Sequence, residues 1–237
     1  MARSHLKRIA APQTWLIGRK ESKYVTRPAP GPHSLMKGLS LSTALRELVR
    51  SARTAKEVKI IIKSKDVFVD KRKRLDEKYP VGLMDIIELP QLEEYYRMLM
   101  DKKGRICAVK ASAKEAAIKL SRIESKTKIA GGKIQLGLSD GRNIIVDKDT
   151  YTIGDTLQLA LPEQKITNQF KLEKGSVVLL TDGKHAGLIT TVEEVSDKKI
   201  IIEAGKNKYE VLREHAFIVG KDKPALDSIK QLMEKTK

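Results

Sequence analysis

The chain is poor in cysteine and contains no long apolar run. Its one cysteine, Cys107, cannot form an intramolecular disulfide or a cysteine-based zinc site, and we predict a small buried hydrophobe in a reducing, intracellular setting. No apolar segment approaches the roughly 18 residues that cross a bilayer. The amino terminus is charged from Arg3 onward and lacks the apolar core of a secretory signal. We therefore expect no membrane partner.

Aromatic and acidic residues are also scarce. One Trp, six Tyr and three Phe are spread over 237 residues without an RRM-like motif, which disfavours recognition of RNA by base stacking. Only 30 acidic residues oppose 47 Lys and Arg, so the formal net charge is +17. Such a field attracts polyanions, most commonly nucleic acid, because neutralised phosphates release counterions. An anionic membrane would require an amphipathic anchor or a lipidation signal, and neither is evident.

The hydrophobic fraction of 41% is sufficient for folded domains, and the length allows two or three of them. Residues 1–38 are predicted to form a basic arm, because Pro28, Pro30 and Pro32 exclude a helix there. We expect this arm to order on RNA, with Trp15 anchoring it on a surface, and its removal to spare folding. Apart from Glu21, its charged side chains are Arg3, Lys7, Arg8, Arg19, Lys20, Lys23, Arg27 and Lys37.

Residues 39–89 are predicted to form a compact unit of two helices followed by two strands. The second helix should begin at Thr54, because Glu57 stands three residues later, as in a capping box. The predicted strands cover 67–69 and 84–89. The apolar residues expected to face the core from the two helices are Leu41, Leu45, Leu48 and Val49, and then Ala55, Val58 and Ile62.

Residues 90–170 are predicted to form a mainly β unit with one helix over 112–123, and 139–142 should be a hairpin turn. Residues 171–220 are predicted to form short strands joined by tight turns, which favours a small barrel. Residues 221–237 are predicted to contain a helix that begins near Pro224. Together these patterns predict an α+β, multidomain protein. The expected strands of the two β-rich segments are 106–110, 133–138, 143–146, 156–161, 177–180, 186–195, 199–203 and 208–212.

Three clusters of basic residues mark the helical unit. Arg46, Arg50 and Arg53 share one side of the first helix if that helix reaches Arg53, and Lys56, Lys59 and Lys63 share one side of the second. The basic run Lys71, Arg72, Lys73 and Arg74 follows. Two adjacent rows of basic residues are suited to contacting a phosphate backbone. Either row alone could instead be an ordinary charged surface exposed to solvent.

Two segments resemble known ribosomal proteins. Two helices, the strand Val67-Phe68-Val69-Asp70, a basic turn and residues 79–87 (YPVGLMDII) resemble the αL RNA-binding fold of bacterial ribosomal protein four. The arm, with His5-Leu6-Lys7-Arg8, Ala10-Ala11-Pro12, Trp15 and Gly31-Pro32-His33 in that order, resembles the start of the archaeal and eukaryotic small-subunit ribosomal protein four. The length, without a long carboxy-terminal extension, resembles the archaeal form.

This resemblance implies an αL-type module at 39–89, a central β-rich domain at 90–170 and a small KOW-type β-barrel at 171–220. It implies a non-enzymatic constituent of the small ribosomal subunit in the cytoplasm, with small-subunit ribosomal RNA and neighbouring ribosomal proteins as partners and no cofactor or small-molecule substrate. In the KOW element Gly183 and Gly187 permit turns, and Lys184 and His185 lie at the tip; Thr190 and Thr191 stand where glycine is often seen. The RNA-binding residues predicted overall are Arg3, His5, Lys7, Arg8, Trp15, Arg19, Lys20, His33, Arg46, Arg50, Arg53, Lys56, Lys59, Lys63, Lys71, Arg72, Lys73, Arg74, Lys184 and His185.

Other functions have weaker signals. Arg74-Leu75-Asp76 matches a pseudouridine synthase signature, but there the aspartate belongs to a separate catalytic domain. Gly131-Gly132-Lys133 fails the Walker pattern, because Thr127 and Ile134 occupy required positions. Four scattered histidines show no metal-ligand spacing, and no nucleophile elbow is present. A KOW-bearing transcription factor that binds RNA polymerase remains the other non-enzymatic reading.

Overall fold

The structure, a computed structural model, describes residues 5–64, 66–204 and 207–234, so Arg3 of the predicted RNA-binding set lies outside the described residues. It is built mostly of strands with few helices. The chain divides into two compact units. The first comprises residues 1–100 and 105–117, and the second comprises residues 101–104 and 118–237.

The first unit contains two helices and short antiparallel strands. Its elements are β1 (Leu6–Lys7), β2 (Tyr24–Val25), β3 (Gly38–Ser40), α1 (Leu41–Thr43) with the π-helical turn Ala44–Val49, α2 (Ala55–Ser64), β4 (Phe68–Val69), β5 (Arg72–Lys73), β6 (Pro80–Gly82), β7 (Ile86–Leu89), β8 (Glu94–Met100), β9 (Ile106–Ala111) and the 3-10 turns Arg8–Ala10, Pro90–Leu92 and Glu115–Ala117. The strands of a five-stranded sheet lie in the order β5-β4-β7-β8-β9, and β1-β2 and β3-β6 form two-stranded ladders.

The capping box predicted for α2 is confirmed. The Glu57 amide donates to Thr54 Oγ1 at 3.2 Å, and Glu57 Oε2 accepts from the amides of Arg53 at 2.8 Å and Thr54 at 3.4 Å. Hydrogen bonds to the Glu57 carboxylate, first from the Arg53 amide and then from the Thr54 hydroxyl, lower the pKa of this carboxyl. Val58 and Ile62 are buried as predicted, whereas Ala55 is exposed because the first turn of α2 projects beyond the core.

The amino-terminal segment differs from the arm expected to order only on RNA. Ala11, Trp15 and Val25 are buried in the same core as Leu41, Leu45 and the helix α2 residues. The Trp15 indole N–H donates to the carbonyl of Gly38 at 3.0 Å. Burial of a tryptophan contributes a large apolar area, so removal of residues 1–38 would remove part of the core instead of sparing the fold.

The second unit contains two antiparallel sheets. The elements are β10 (Ile118–Lys128), β11 (Ile134–Leu138), β12 (Asn143–Val146), β13 (Thr156–Ala160), β14 (Lys165–Phe170), β15 (Ser176–Leu180), β16 (Ile189–Val195), β17 (Lys199–Ala204), β18 (Asn207–Leu212), β19 (Ala216–Lys221), β20 (Lys223–Pro224), α3 (Asp227–Glu234) and the 3-10 turns Ala130–Gly132 and Arg213–His215. The strand orders of the two sheets are β12-β11-β10-β13-β14 and β18-β17-β16-β15-β19-β20.

The hairpin predicted at 139–142 is confirmed, and β11 and β12 pair across it. Gly141 has a φ of 74°, and its amide donates to the carbonyl of Leu138 at 2.9 Å. The carboxy-terminal helix is also confirmed, but it begins at Asp227 because Pro224 pairs with Gly220 in a short ladder. The eight strands predicted at 106–212 all exist, with bounds shifted by up to three residues.

The helix predicted over 112–123 is wrong. Only Glu115–Ala117 forms a helical turn, and Ile118–Lys128 is the central strand of its sheet. Leu120 and Ile123 are buried in the strand, and they would also have been buried in a helix. Their spacing therefore did not distinguish a helix from a strand. Pairing with β11 and β13 on both edges overrides the helical propensity of the alanine-rich run.

The central strand β10 also carries a buried ion pair. Lys119 Nζ lies 3.1 Å from Asp140 Oδ2, and these side chains are only 1% and 3% exposed. The same oxygen accepts from Ser121 Oγ at 3.2 Å and from Arg142 Nε at 3.2 Å. One carboxylate therefore ties the strand β10 to the turn between β11 and β12.

Candidate nucleic-acid interface

The first basic surface is the outer face of helix α2. Lys56, Lys59 and Lys63 are exposed on the side opposite the buried Val58 and Ile62, as their spacing predicted. Lys59 Nζ, which is exposed, pairs with the partly buried Glu77 at 3.3 Å. Because such surface pairs are worth about 1 kcal/mol or less, Lys59 remains free to exchange its partner for a phosphate.

The second basic surface differs from its prediction. The first helix ends at Val49, and Arg50 adopts the left-handed conformation with a φ of 61°, so Arg46, Arg50 and Arg53 do not share one helix side. They meet instead around an open cleft of about 600 Å³. We call it the arginine cleft, and its lining residues are Arg8, Glu21, Ser22, Arg46, Glu47, Arg50, Ala52 and Arg53.

The carboxylates of the arginine cleft are engaged by two of its arginines. Glu47 Oε1 accepts from Arg46 Nε at 3.1 Å and Nη2 at 2.9 Å, and it also contacts the Arg8 guanidinium. Arg8 itself is 2% exposed and lies 3.2 Å from Glu21 Oε2. Sequence reasoning missed Glu21, Ser22 and Glu47, because these residues join the site only when the amino-terminal segment packs on the first helix.

The basic run 71–74 forms the turn and strand after β4. Lys71 has a φ of 60° and lies 3.0 Å from Glu88, whose carboxyl pKa is raised by burial although Lys71 opposes that shift. Lys73 pairs with Asp66, and the Arg74 guanidinium stacks 4.1 Å from the centroid of Tyr79. Arg72 is exposed, and in the described part of the chain its side chain forms no ion pair.

Some of the RNA-binding residues predicted in the amino-terminal segment are exposed, and others are buried. His5, Lys7 and Lys20 are exposed. Arg19 is partly buried and donates to the carbonyls of Ile9, Ala11 and Pro12 at 2.8–3.1 Å, so its guanidinium supports the fold of the segment. Arg8, Trp15 and His33 have buried side chains, which offer little surface to a macromolecule in this structure.

His33 forms a buried contact that fixes the amino-terminal segment. Its Nε2 lies 2.9 Å from Asp85 Oδ2, and their side chains are 6% and 2% exposed. The same carboxylate oxygen accepts from the Gly82 amide at 2.9 Å. An alanine at 82 would place its Cβ 2.4 Å from the His33 ring, so glycine is required where strand β6 meets the amino-terminal segment.

We expect Asp85→Ala to lower the free energy of unfolding by about 2 kcal/mol, because the buried Gly82 amide and the His33 ring lose this acceptor. Chemical denaturation measures the change. Asp66→Ala, which removes an exposed partner of Lys73, is the matched control and should change stability by no more than about 0.5 kcal/mol. Equal losses in the two variants would contradict the assignment.

The loop between β15 and β16 carries the last predicted residues. Gly183 and Gly187 have φ values of 86° and 87°, so the predicted glycine turns are confirmed. Lys184 is exposed, and the His185 ring lies 4.3 Å from the ring of Tyr209. Thr190 is buried and donates to the carbonyl of Glu203 at 2.9 Å, so it supports the sheet.

The alternative signals occupy ordinary structural positions. Asp76 is exposed in a turn, where its Oδ1 accepts from the Lys78 amide at 2.8 Å. Across residues 5–64, 66–204 and 207–234, no group of three or more His, Cys, Asp or Glu could hold a metal ion. Within the same ranges, none of the helices has the length and apolarity to span a bilayer.

Comparison with known proteins gives consistent matches along the chain. A family model described as ribosomal family S4e matches residues 92–166, and one described as the RS4NT (NUC023) domain matches residues 2–36. The chain is 38% identical over 234 residues to the small ribosomal subunit protein eS4 of Methanosphaera stadtmanae, covering 96% of this chain and 97% of that protein. It is 41% identical over 238 residues to the protein of the same name from Methanococcus aeolicus, covering 94% and 97%.

A solved structure is also similar. The crystal structure of the 30S ribosomal protein S4e from Thermoplasma acidophilum superposes with a TM-score of 0.68 at 27% sequence identity. The superposition covers 78% of this chain and 96% of that one. The mostly β architecture described above is therefore similar to that of a ribosomal protein from an archaeon.

Proposed function

The chain belongs to the S4e family of ribosomal proteins, and from this premise we propose that it is a structural constituent of the small ribosomal subunit that binds ribosomal RNA. Besides family membership, the proposal is supported by the exposed lysine and arginine side chains that are concentrated on the first unit. The face of α2 and the arginine cleft are adjacent in the chain, and both are open to solvent.

Recognition is proposed to depend on phosphate contacts and RNA shape. Lysine ammonium and arginine guanidinium groups contact phosphate oxygens without reading base identity. The described aromatic residues of the first unit offer few exposed rings, since Trp15 and Tyr96 are buried. The proposed contacts are His5, Lys7, Lys20, Arg46, Arg50, Arg53, Lys56, Lys59, Lys63, Arg72 and Lys184, and Arg3 is added to them from its sequence alone.

We further propose the finer domain assignment. Residues 39–89 would be the αL-type module, 90–170 the central β-rich domain, 171–220 the KOW-type barrel and 221–237 a terminal helix. Support comes from the order of α1, α2, β4 and β7 in the first unit and from the glycine turns around Lys184. Neighbouring ribosomal proteins are proposed as further partners, and no catalytic activity, cofactor or small-molecule substrate is proposed.

Co-sedimentation tests the proposal. We expect the tagged full chain in a cell extract to migrate with small-subunit fractions of a sucrose gradient and to be released by high salt, because phosphate contacts are lost as counterions compete. A matched mock extract from untagged cells is the control. Migration with RNA polymerase would support a transcription factor instead, and modified uridine after incubation with labelled RNA would support an RNA-modifying enzyme.

A further inference from the structure

We infer that the arginine cleft is a preformed pocket for a single nucleotide of an RNA strand, held by its phosphate groups. The inference rests on the proposed function and deepens it by naming the chemical group that the cleft takes. The cleft would then hold one nucleotide, whereas the lysine face of α2 would contact only the outside of a phosphate backbone.

The charges of the cleft favour an anion. Four guanidinium groups line it against two carboxylates. Both carboxylates already interact with Arg8, and Glu47 also holds Arg46 through two of its nitrogens. Among the described residues, the Arg50 and Arg53 side chains form no ion pair or hydrogen bond within contact distance, although the charge of Arg53 also acts on the nearby Glu57 carboxylate. Since a guanidinium group binds phosphate oxygens through paired donors, these two can bind a ligand without first breaking such a bond, whereas Arg46 would exchange Glu47 for phosphate.

The size of the cleft favours a nucleotide over a small ion. Its volume of about 600 Å³ lies in the range of pockets that bind small organic molecules, roughly 300–1,000 Å³. None of its lining residues is aromatic, so base stacking would not supply the affinity. Phosphate groups are then the part of a nucleotide that this lining recognises best.

The backbone at Arg50 gives an independent reason to assign it a role in binding. Arg50 closes the π-helical turn Ala44–Val49, and its amide donates to the carbonyl of Leu45. A residue other than glycine in the left-handed region costs about 1 kcal/mol or more, and glycine or asparagine usually occupies this position after a helix. Strained residues and π-helical turns both concentrate at functional sites. Here the strained residue, Arg50, carries a guanidinium group that forms no ion pair with any other described residue.

The position of Arg53 favours RNA over an acidic peptide as the occupant. Arg53 immediately precedes Thr54, which caps α2, and the lysine face begins at Lys56. A strand with one nucleotide in the cleft would therefore meet cationic groups on the adjoining helix. The regular spacing of charges on an RNA backbone suits such a continuous path.

Isothermal titration of the full chain with uridine 3′,5′-bisphosphate tests the inference, because this nucleotide carries a phosphate on each side, as it does within a strand. We expect saturable binding at one site, weaker by about tenfold in Arg50→Gly and in Arg53→Gln, the loss of one charge-assisted contact. Lys165→Gln, which removes an exposed charge of the second unit, should bind as the wild type does. Arg50→Gly should unfold at no lower temperature than the wild type, because glycine adopts this φ without strain.

Several outcomes would overturn the inference. One is an absence of saturable binding, and another is a loss of bisphosphate affinity in Lys165→Gln equal to that in the arginine variants. The inference also fails if inorganic phosphate binds as tightly as the bisphosphate, or if a glutamate-rich peptide displaces the bisphosphate at a lower concentration than oligouridylate does. Ribosomal RNA binding is measured with the same preparation. Wild-type protein that binds this RNA but not the bisphosphate refutes the pocket alone, whereas failure of both refutes the proposed function as well.

Discussion

Replacing Arg46, Arg50 and Arg53 together with glutamine is expected to weaken the binding of small-subunit ribosomal RNA by about a thousandfold. Each guanidinium in the proposed interface would make a charge-assisted contact worth about 1.5 kcal/mol, and every 1.4 kcal/mol is a factor of ten in affinity. Three lost contacts should also reduce the slope of log affinity against log salt by about 2.7 for duplex RNA, by analogy with B-DNA.

Filter binding over a range of salt concentrations measures both quantities. The matched control replaces Lys165, Lys199 and Lys208 with glutamine, three exposed lysines of the second unit that each pair with a glutamate. The two triple variants carry the same net charge, so any difference reflects position and not total charge. Equal affinities for the two variants, with both folded, would remove the three arginines from the interface.

Asp140→Ala is expected to lower the free energy of unfolding by about 3–5 kcal/mol. Removing one member of a buried ion pair leaves its partner charged in a poorly solvated site. Asp140 interacts with the buried Lys119, and it also accepts from Ser121 and Arg142. The loss therefore affects several donors on the strand β10 and its neighbouring turn.

Chemical denaturation measures this effect, with Asp149→Ala as the control. Asp149 also pairs with a lysine, Lys126, but its side chain is 54% exposed, so the control should lose no more than about 1 kcal/mol. A loss in Asp140→Ala as small as in the control would mean that water or other groups solvate Lys119 adequately. Restored stability on adding Lys119→Met would support the buried charge as the cause.

Local signals in the sequence predicted local structure well. The capping box at Thr54 and Glu57 and the turn at Gly141 each depend on residues within a few positions of one another, so their chemistry is visible in the sequence. The alternation of apolar residues likewise identified most strands of the second unit. These features need no information about distant parts of the chain.

Features that depend on tertiary contacts were not predictable in this way. The strand β10 has buried Lys119 and Ser121 beside buried Leu120, which hides the alternation of a half-exposed strand. A lysine is read as exposed unless the distant Asp140 is known to pair with it. For the same reason, the proline-rich amino-terminal segment looked unable to order alone, although Trp15 and Val25 complete the core of the first unit.

The candidate site was predicted in residue type but not in arrangement. Arg46, Arg50 and Arg53 were expected along one side of a helix, and the left-handed Arg50 ends that helix early. The helical period alone could not show this, because arginine is not a residue that usually marks a helix end. The lysines of α2 kept their predicted face, since their helix is stabilised by its cap and by the burial of Val58 and Ile62.

Trp15 is the only tryptophan of the chain, and its indole is buried in the first unit. Selectively excited emission from the protein therefore originates at a single ring, next to the carbonyl of Gly38. A red shift of this fluorescence during titration with denaturant reports the release of the amino-terminal segment into water, whereas backbone circular dichroism reports both units. The protein thus contains an intrinsic probe of the first unit, and comparison of the two transitions shows, without any added label, whether this unit opens before the rest of the protein unfolds.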